Sequence, residues 1–264
     1  MANLSLDISG SASTQITGSI TDGQWIAGLA GDRAIFNATD PTPAAGKYTL
    51  LIPGNNDPAV APAGDSIASV TVEPSGSVRL SGILADGTPF TQTNVVSGVN
   101  WPLYVPLYAG KGALVSWIQF DEGAATGFAG DVSWIKAASL TRYYPQGFTN
   151  EVPVFASSYM PPVSGSPVLQ FTTGSVILSG GNLTSPLTNR VTLQSNNTFT
   201  VAAAPNALTL SVSLASGQLI GSFIHPVTRQ ATPVRAVILQ EENSARGFFL
   251  GPSQSGLFVL QPDP

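Results

Sequence analysis

Cysteine is absent from this 264-residue chain and histidine occurs once. Without thiols there is no disulfide framework, no thiolate nucleophile and no Cys-ligated zinc, and one imidazole cannot build a His-rich metal site. Charge is also sparse: 9% of residues are Asp, Glu, Lys or Arg, with a net charge of −5. The ten basic residues are scattered, so no stripe faces a phosphate backbone and nucleic acid is excluded as the expected partner. No run reaches about 18 apolar residues, which excludes a spanning helix. The opening MANLSLDISG lacks the basic and apolar regions of a signal peptide, so none is expected in this stretch. Most apolar runs last five to seven residues, shorter than the strands of a membrane barrel.

What remains is a chain 43% hydrophobic, with 27 glycines and 21 prolines. That composition describes short strands punctuated by turns, and the expected class is all-β with almost no helix. No segment keeps a helical apolar stripe for three turns. Period-two alternation marks strands at 67–73, 190–194, 198–203 and 207–214.

GSITDG at 18–23 returns as GILADG at 82–87, and Lys47 as Lys111, at the same offset of 64. A looser third copy occupies 210–226. The Asp-Gly pairs predict two-residue hairpins with positive φ, and the glycine four places earlier predicts a bulge or a close strand crossing. The expected architecture is therefore repeated antiparallel β-meander units in two barrel-like or sandwich-like lobes. An N-terminal lobe of two units spans 1–140, a Pro-rich connector 141–167, and a third unit 168–264. Pro102 and Pro106 in WPLYVPLY share parity, so both missing N–H groups face one neighbour; this predicts an edge strand or a seam.

Candidate chemistry is thin. His225, in FIHPVT, reads as a turn or surface residue, with no G-x-S-x-G elbow to accompany a catalytic base. Asp121, Glu122, Asp131, Glu151, Glu241 and Glu242 are the acids from which a glycosidase pair could be drawn, though as loop residues they read as solvated. GNNDP at 54–58 offers oxygens for calcium but lacks a recognised loop pattern, so no metal and no cofactor are expected. Aromatics carry the binding reading, because Trp and Tyr rings stack on sugars. Tyr104 and Tyr108 share one face of the proline-bearing strand, and Trp101 shares the opposite face with Leu103, Val105 and Leu107. Tyr104, Tyr108, Trp101 and Trp25 are the candidate ligand-binding residues.

KYTLLIPG, WPLYVPLYAGKGALVSWIQF and ARGFFLGPSQSG, in that order, resemble an uncharacterised β-meander module near the C-termini of very long bacterial surface or secreted proteins, behind Ig-like or other repeats. The resemblance covers most of the chain and carries over no site residues. It implies an extracellular or cell-surface location and a non-catalytic role with a polysaccharide or another surface as partner. The alternatives are a carbohydrate-active enzyme using a carboxylate pair, and a lipocalin-like carrier, which would need an apolar cavity inside a closed barrel.

Overall fold

Alternation becomes nineteen strands in the computed structural model, which describes residues 2–7, 15–120, 127–202 and 206–263. Among these residues the single helical element is a 3-10 turn at Tyr108–Gly110. A small first sheet joins β1 (Asn3–Asp7), β2 (Gln15–Thr21) and β3 (Ile26–Asp32). Its register puts Leu4, Leu6, Ile16, Ile20 and Leu29 on one face, and all but Ile20 are exposed.

The chain then forms two nearly closed eight-stranded barrels, each an up-and-down meander whose first and last strands pair. The first comprises β4 (Gly46–Ile52), β5 (Ser66–Val72), β6 (Ser77–Ile83), β7 (Pro89–Val95), β8 (Asn100–Leu107), β9 (Gly112–Phe120), β10 (Phe128–Lys136) and β11 (Phe148–Ser158). β4 pairs with β11, and the ladder is open between β7 and β8. The second comprises β12 (Thr173–Gly180), β13 (Leu187–Leu193), β14 (Phe199–Val201), β15 (Thr209–Ser213), β16 (Gln218–Ile224), β17 (Ala231–Leu239), β18 (Ser244–Leu250) and β19 (Ser255–Pro262). β12 pairs with β19, and the gap falls between β14 and β15.

The proline-bearing strand is a seam. Pro102 and Pro106 have no N–H to give β7, and side chains take over there: Asn94 Nδ2 donates to Pro102 O (2.7 Å) and Gln92 Nε2 to Tyr104 O (3.1 Å). Gln92 Oε1 in turn accepts from Trp101 Nε1 (3.2 Å).

The turn after Gly82 differs from the expected two-residue hairpin. Leu84 O accepts from Gly87 N and Leu84 N donates to Thr88 O, both at 2.8 Å, enclosing a three-residue loop in which only Gly87 has positive φ (+91°). The repeated glycine does mark a close crossing. A Cβ on Gly82 would lie 2.4 Å from Ile67 O, and Gly18 and Gly221 meet a paired strand's carbonyl in the same way, at 2.1 Å each. Beyond that motif the strand order of the first two units diverges: 36–43, the counterpart of β8 at the offset of 64, holds no strand, and β2 and β4 lie in different sheets. The span 141–167 is also more than a connector, since β11 inside it closes the first barrel.

Rings fill the first barrel. Trp101 and Trp134 are fully buried, Trp134 meets Phe148 edge-on at 4.8 Å, and Phe120 meets Phe128 at 5.1 Å. A lipocalin-like cavity is thereby replaced with packed side chains. The lobes are locked together by a separate cluster of Leu51, Ile67, Ala85, Val237, Leu239 and Phe248. This explains why YTLLI and AVIL are continuous apolar runs: the strands that carry them are covered on both faces, one by their own barrel and one by the other lobe. Asp65 adds an ion pair across the joint to Arg246 (2.9 Å) and donates its own N–H to Gly247 O.

Candidate functional site

Two regions concentrate chemistry, one outside the first barrel and one sealed inside it. The outer region lies on β8 to β11. Alternation along β8 sends Leu103, Val105 and Leu107 inward and Tyr104 outward, where it is 61% exposed. On the neighbouring strand Trp117 also points outward, 56% exposed. Tyr104 pairs with Val115 and Pro102 with Trp117, so the two rings are diagonal neighbours on one face. One strand further, Asp131 projects from the same face opposite Pro153 of β11. The face ends in an open groove of about 980 Å³ between the lobes, lined by Asp131, Pro153, Phe155, Leu239, Glu241 and Glu242 among others. Burial, reinforced by the neighbouring Glu242 carboxylate, raises the Glu241 carboxyl above its ordinary range, against a lowering backbone hydrogen bond from Ser158.

The four aromatics singled out from the sequence separate. Tyr104 alone stays on this face. Trp101 is in the barrel core, because its parity is that of the Leu/Val positions. Tyr108 leaves the strand: it begins the 3-10 turn with φ +53°, which breaks the alternation and swings its ring inward. Trp25 is 49% exposed in the β2–β3 turn of the separate three-stranded sheet. Trp117, in GALVSWIQF, shares the outward face with Tyr104; its period-two position between buried Ser116 and Ile118 is the sequence signal for that orientation.

Among the candidate acids, Asp131, Glu241 and Glu242 share the groove, while Glu151 lies outside its lining and accepts from Ser133 Oγ (3.2 Å). Asp121 and Glu122 lie outside the described residues. In GNNDP, Asn55 and Asp57 spend their side-chain oxygens on the amides of Asp57 and Ala59, which is turn chemistry. His225 does sit at a turn but is fully buried, not on the surface. Its Nδ1 accepts from Val227 N–H (3.3 Å) and its Nε2 donates to Gly181 O (3.0 Å), so both nitrogens are engaged in holding the loop.

The sealed region was not visible in the sequence. Asp86, in the hairpin loop after β6, and Lys136, at the end of β10, form an ion pair at 3.2 Å with each side chain 2% exposed. Asp86 Oδ2 also accepts from Tyr108 OH (2.7 Å), and Tyr108 OH accepts from Trp134 Nε1 (3.0 Å). Burial, then the Asp86 carboxylate, raises the Tyr108 phenol far above its ordinary value, so it stays a donor.

No family model matches the chain, and no curated protein matches it. Among solved structures, endo-1,5-alpha-L-arabinanase from Thermotoga petrophila RKU-1 aligns over 99% of this chain and 67% of its own, at 8% identity and a TM-score of 0.25. A likeness that slight carries neither fold nor function.

Proposed function

We propose that this chain is a non-catalytic binding module of a bacterial extracellular or cell-surface protein, and that it contacts polysaccharide through the outer face of β8 and β9. The observation that carries the reading is the pair Tyr104 and Trp117, two large rings left in water on neighbouring strands of a rigid barrel wall. Rings held there present apolar faces to sugar C–H groups at little entropic cost, and the adjoining Asp131, Glu241 and Glu242 accept from hydroxyls. The extracellular location rests on the resemblance of KYTLLIPG, WPLYVPLYAGKGALVSWIQF and ARGFFLGPSQSG to a surface-protein module. Affinity electrophoresis across a panel of soluble polysaccharides tests the reading. At least one gel is expected to retard the parent chain, and Tyr104→Ala with Trp117→Ala to abolish that retardation without changing the melting temperature. Equal mobility of parent and double variant in every gel would refute it.

The second reading, a carbohydrate-active enzyme, is favoured by the three acids in one groove. It requires release of reducing ends that disappears in Asp131→Asn or Glu241→Gln, which the binding reading does not.

A further inference from the structure

Lys136 and Asp86 are the one pair of opposite charges in the described residues with both side chains almost wholly removed from water. With each side chain 2% exposed, the groups within reach of the pair are its own packed neighbours. We propose that Lys136 Nζ and Asp86 Cγ join in an isopeptide bond that staples the β6–β7 hairpin to the end of β10.

Each atom the reaction needs already has a partner placed for it. Nζ is in hydrogen-bond contact with Oδ2 at 3.2 Å, and its second contact, to Tyr143 O at 2.7 Å, fixes the amine's orientation. The nitrogen also lies 4.9 Å from the centre of the Tyr108 ring, which confines it further. Oδ1 accepts the Thr88 N–H at 3.0 Å, and Oδ2 accepts the Tyr108 hydroxyl at 2.7 Å. The two carboxyl oxygens are therefore inequivalent: one faces a fixed backbone donor, the other a phenol hydroxyl and the amine itself.

The step balances without a co-reactant. A proton passes from Nζ to Oδ2, leaving an amine beside a carboxylic acid. The amine lone pair forms the N–Cγ bond, and negative charge collects on Oδ1, where the Thr88 amide stabilises it. The C–Oδ2 bond then breaks. Oδ2, polarised by the hydrogen bond from the Tyr108 hydroxyl, departs as water, taking its second proton directly from Nζ, with which it is in contact. One C–N bond replaces one C–O bond, one water is released, and nothing is oxidised or reduced. Holding the partners in contact supplies the entropic part of the barrier, and a packed surround keeps water from reversing the reaction. In a chain with no cysteine, such a link does what a disulfide does elsewhere: it closes a loop between residues 50 positions apart, 86 and 136.

Mass spectrometry of the purified full-length chain under denaturing conditions tests this directly. The folded parent is expected to weigh one water less than its sequence, and Lys136→Met to show the full mass. Trypsin is expected to leave 112–142 uncut at Lys136 and joined to 80–111 through the side chains. Tyr108→Phe, which keeps the ring and removes the hydrogen bond to the departing Oδ2, is expected to retain the unlinked mass in most molecules. Succinimide at Asp86-Gly87 or Asp22-Gly23 also loses water, but it hydrolyses at mildly alkaline pH and yields no joined peptide; that pattern would overturn the proposal. A folded, aged parent at full mass would overturn it as well, whether or not Lys136→Met folds.

Discussion

Replacing Gly82 with alanine adds one methyl group where the fold has no room for it. A Cβ at this position would meet Ile67 O at 2.4 Å, Ala68 Cβ at 2.6 Å and Phe90 Cζ at 2.7 Å. Gly82 pairs with Ala68 across β5 and β6, and two of the three obstacles belong to that partner strand. Relief therefore requires the strands to part rather than a side chain to turn. Overpacking of this kind costs about 1–3 kcal/mol, and loosening one ladder bond adds about 1 kcal/mol. Restricting the unfolded chain returns about 0.4–1 kcal/mol. The net loss is about 1–3.5 kcal/mol, which for a chain of this size lowers Tm by about 2–14 °C. Gly28→Ala is the matched control, because β3 leaves open space around its Cβ and its φ is not in the left-handed region. It is expected to gain about 0.4–1 kcal/mol from the restricted unfolded chain, not to lose stability. Urea denaturation and calorimetry on both variants decide the matter. A Gly82→Ala chain melting within about 1 °C of the parent would refute the close-crossing argument.

Arg246→Ala leaves the Asp65 carboxyl 3% exposed and without its cation across the lobe joint. Burial already raises Asp65 above its ordinary value against the lowering effect of Arg246, so the variant is expected to lose about 2–3 kcal/mol at pH 7. The deficit shrinks as acid protonates Asp65; equal deficits at pH 7 and pH 4 in urea melts would refute this. At the alkaline end, burial raises the phenols of Tyr48, Tyr108, Tyr144 and Tyr159 above their ordinary value of 10.0. The unfolded chain loses these protons first, so their contribution to stability is complete below pH 10 and declines above it. For Tyr108 the slope is about 1.4 kcal/mol per pH unit. Tyrosinate absorbance is expected to rise together with unfolding; ionisation of all six tyrosines at the ordinary pH with the fold intact would contradict it.

How much of this was legible in the sequence follows from how local each feature is. Strand positions, the all-β class, the glycine of the close crossing and the proline seam follow from period-two alternation and from what Gly and Pro do to their own backbone. The outward orientation of Tyr104 follows from the same rule, and so does that of Trp117. Tyr108 was misplaced because one residue with φ +53° ends the alternation, and no pattern announced that break. β11 was hidden in a proline-rich stretch.

The sequence by itself determined that this protein is made of short antiparallel strands with scarce ionisable groups, because alternation and turn chemistry act over a few residues. Only the tertiary structure decided that the strands close into two barrels, that YTLLI and AVIL are apolar on both faces because lobe packs on lobe, and that Asp86 and Lys136, 50 positions apart, share one sealed site. Such meetings depend on which strand lies beside which, a property of the closed sheet that no single strand carries in its own residues.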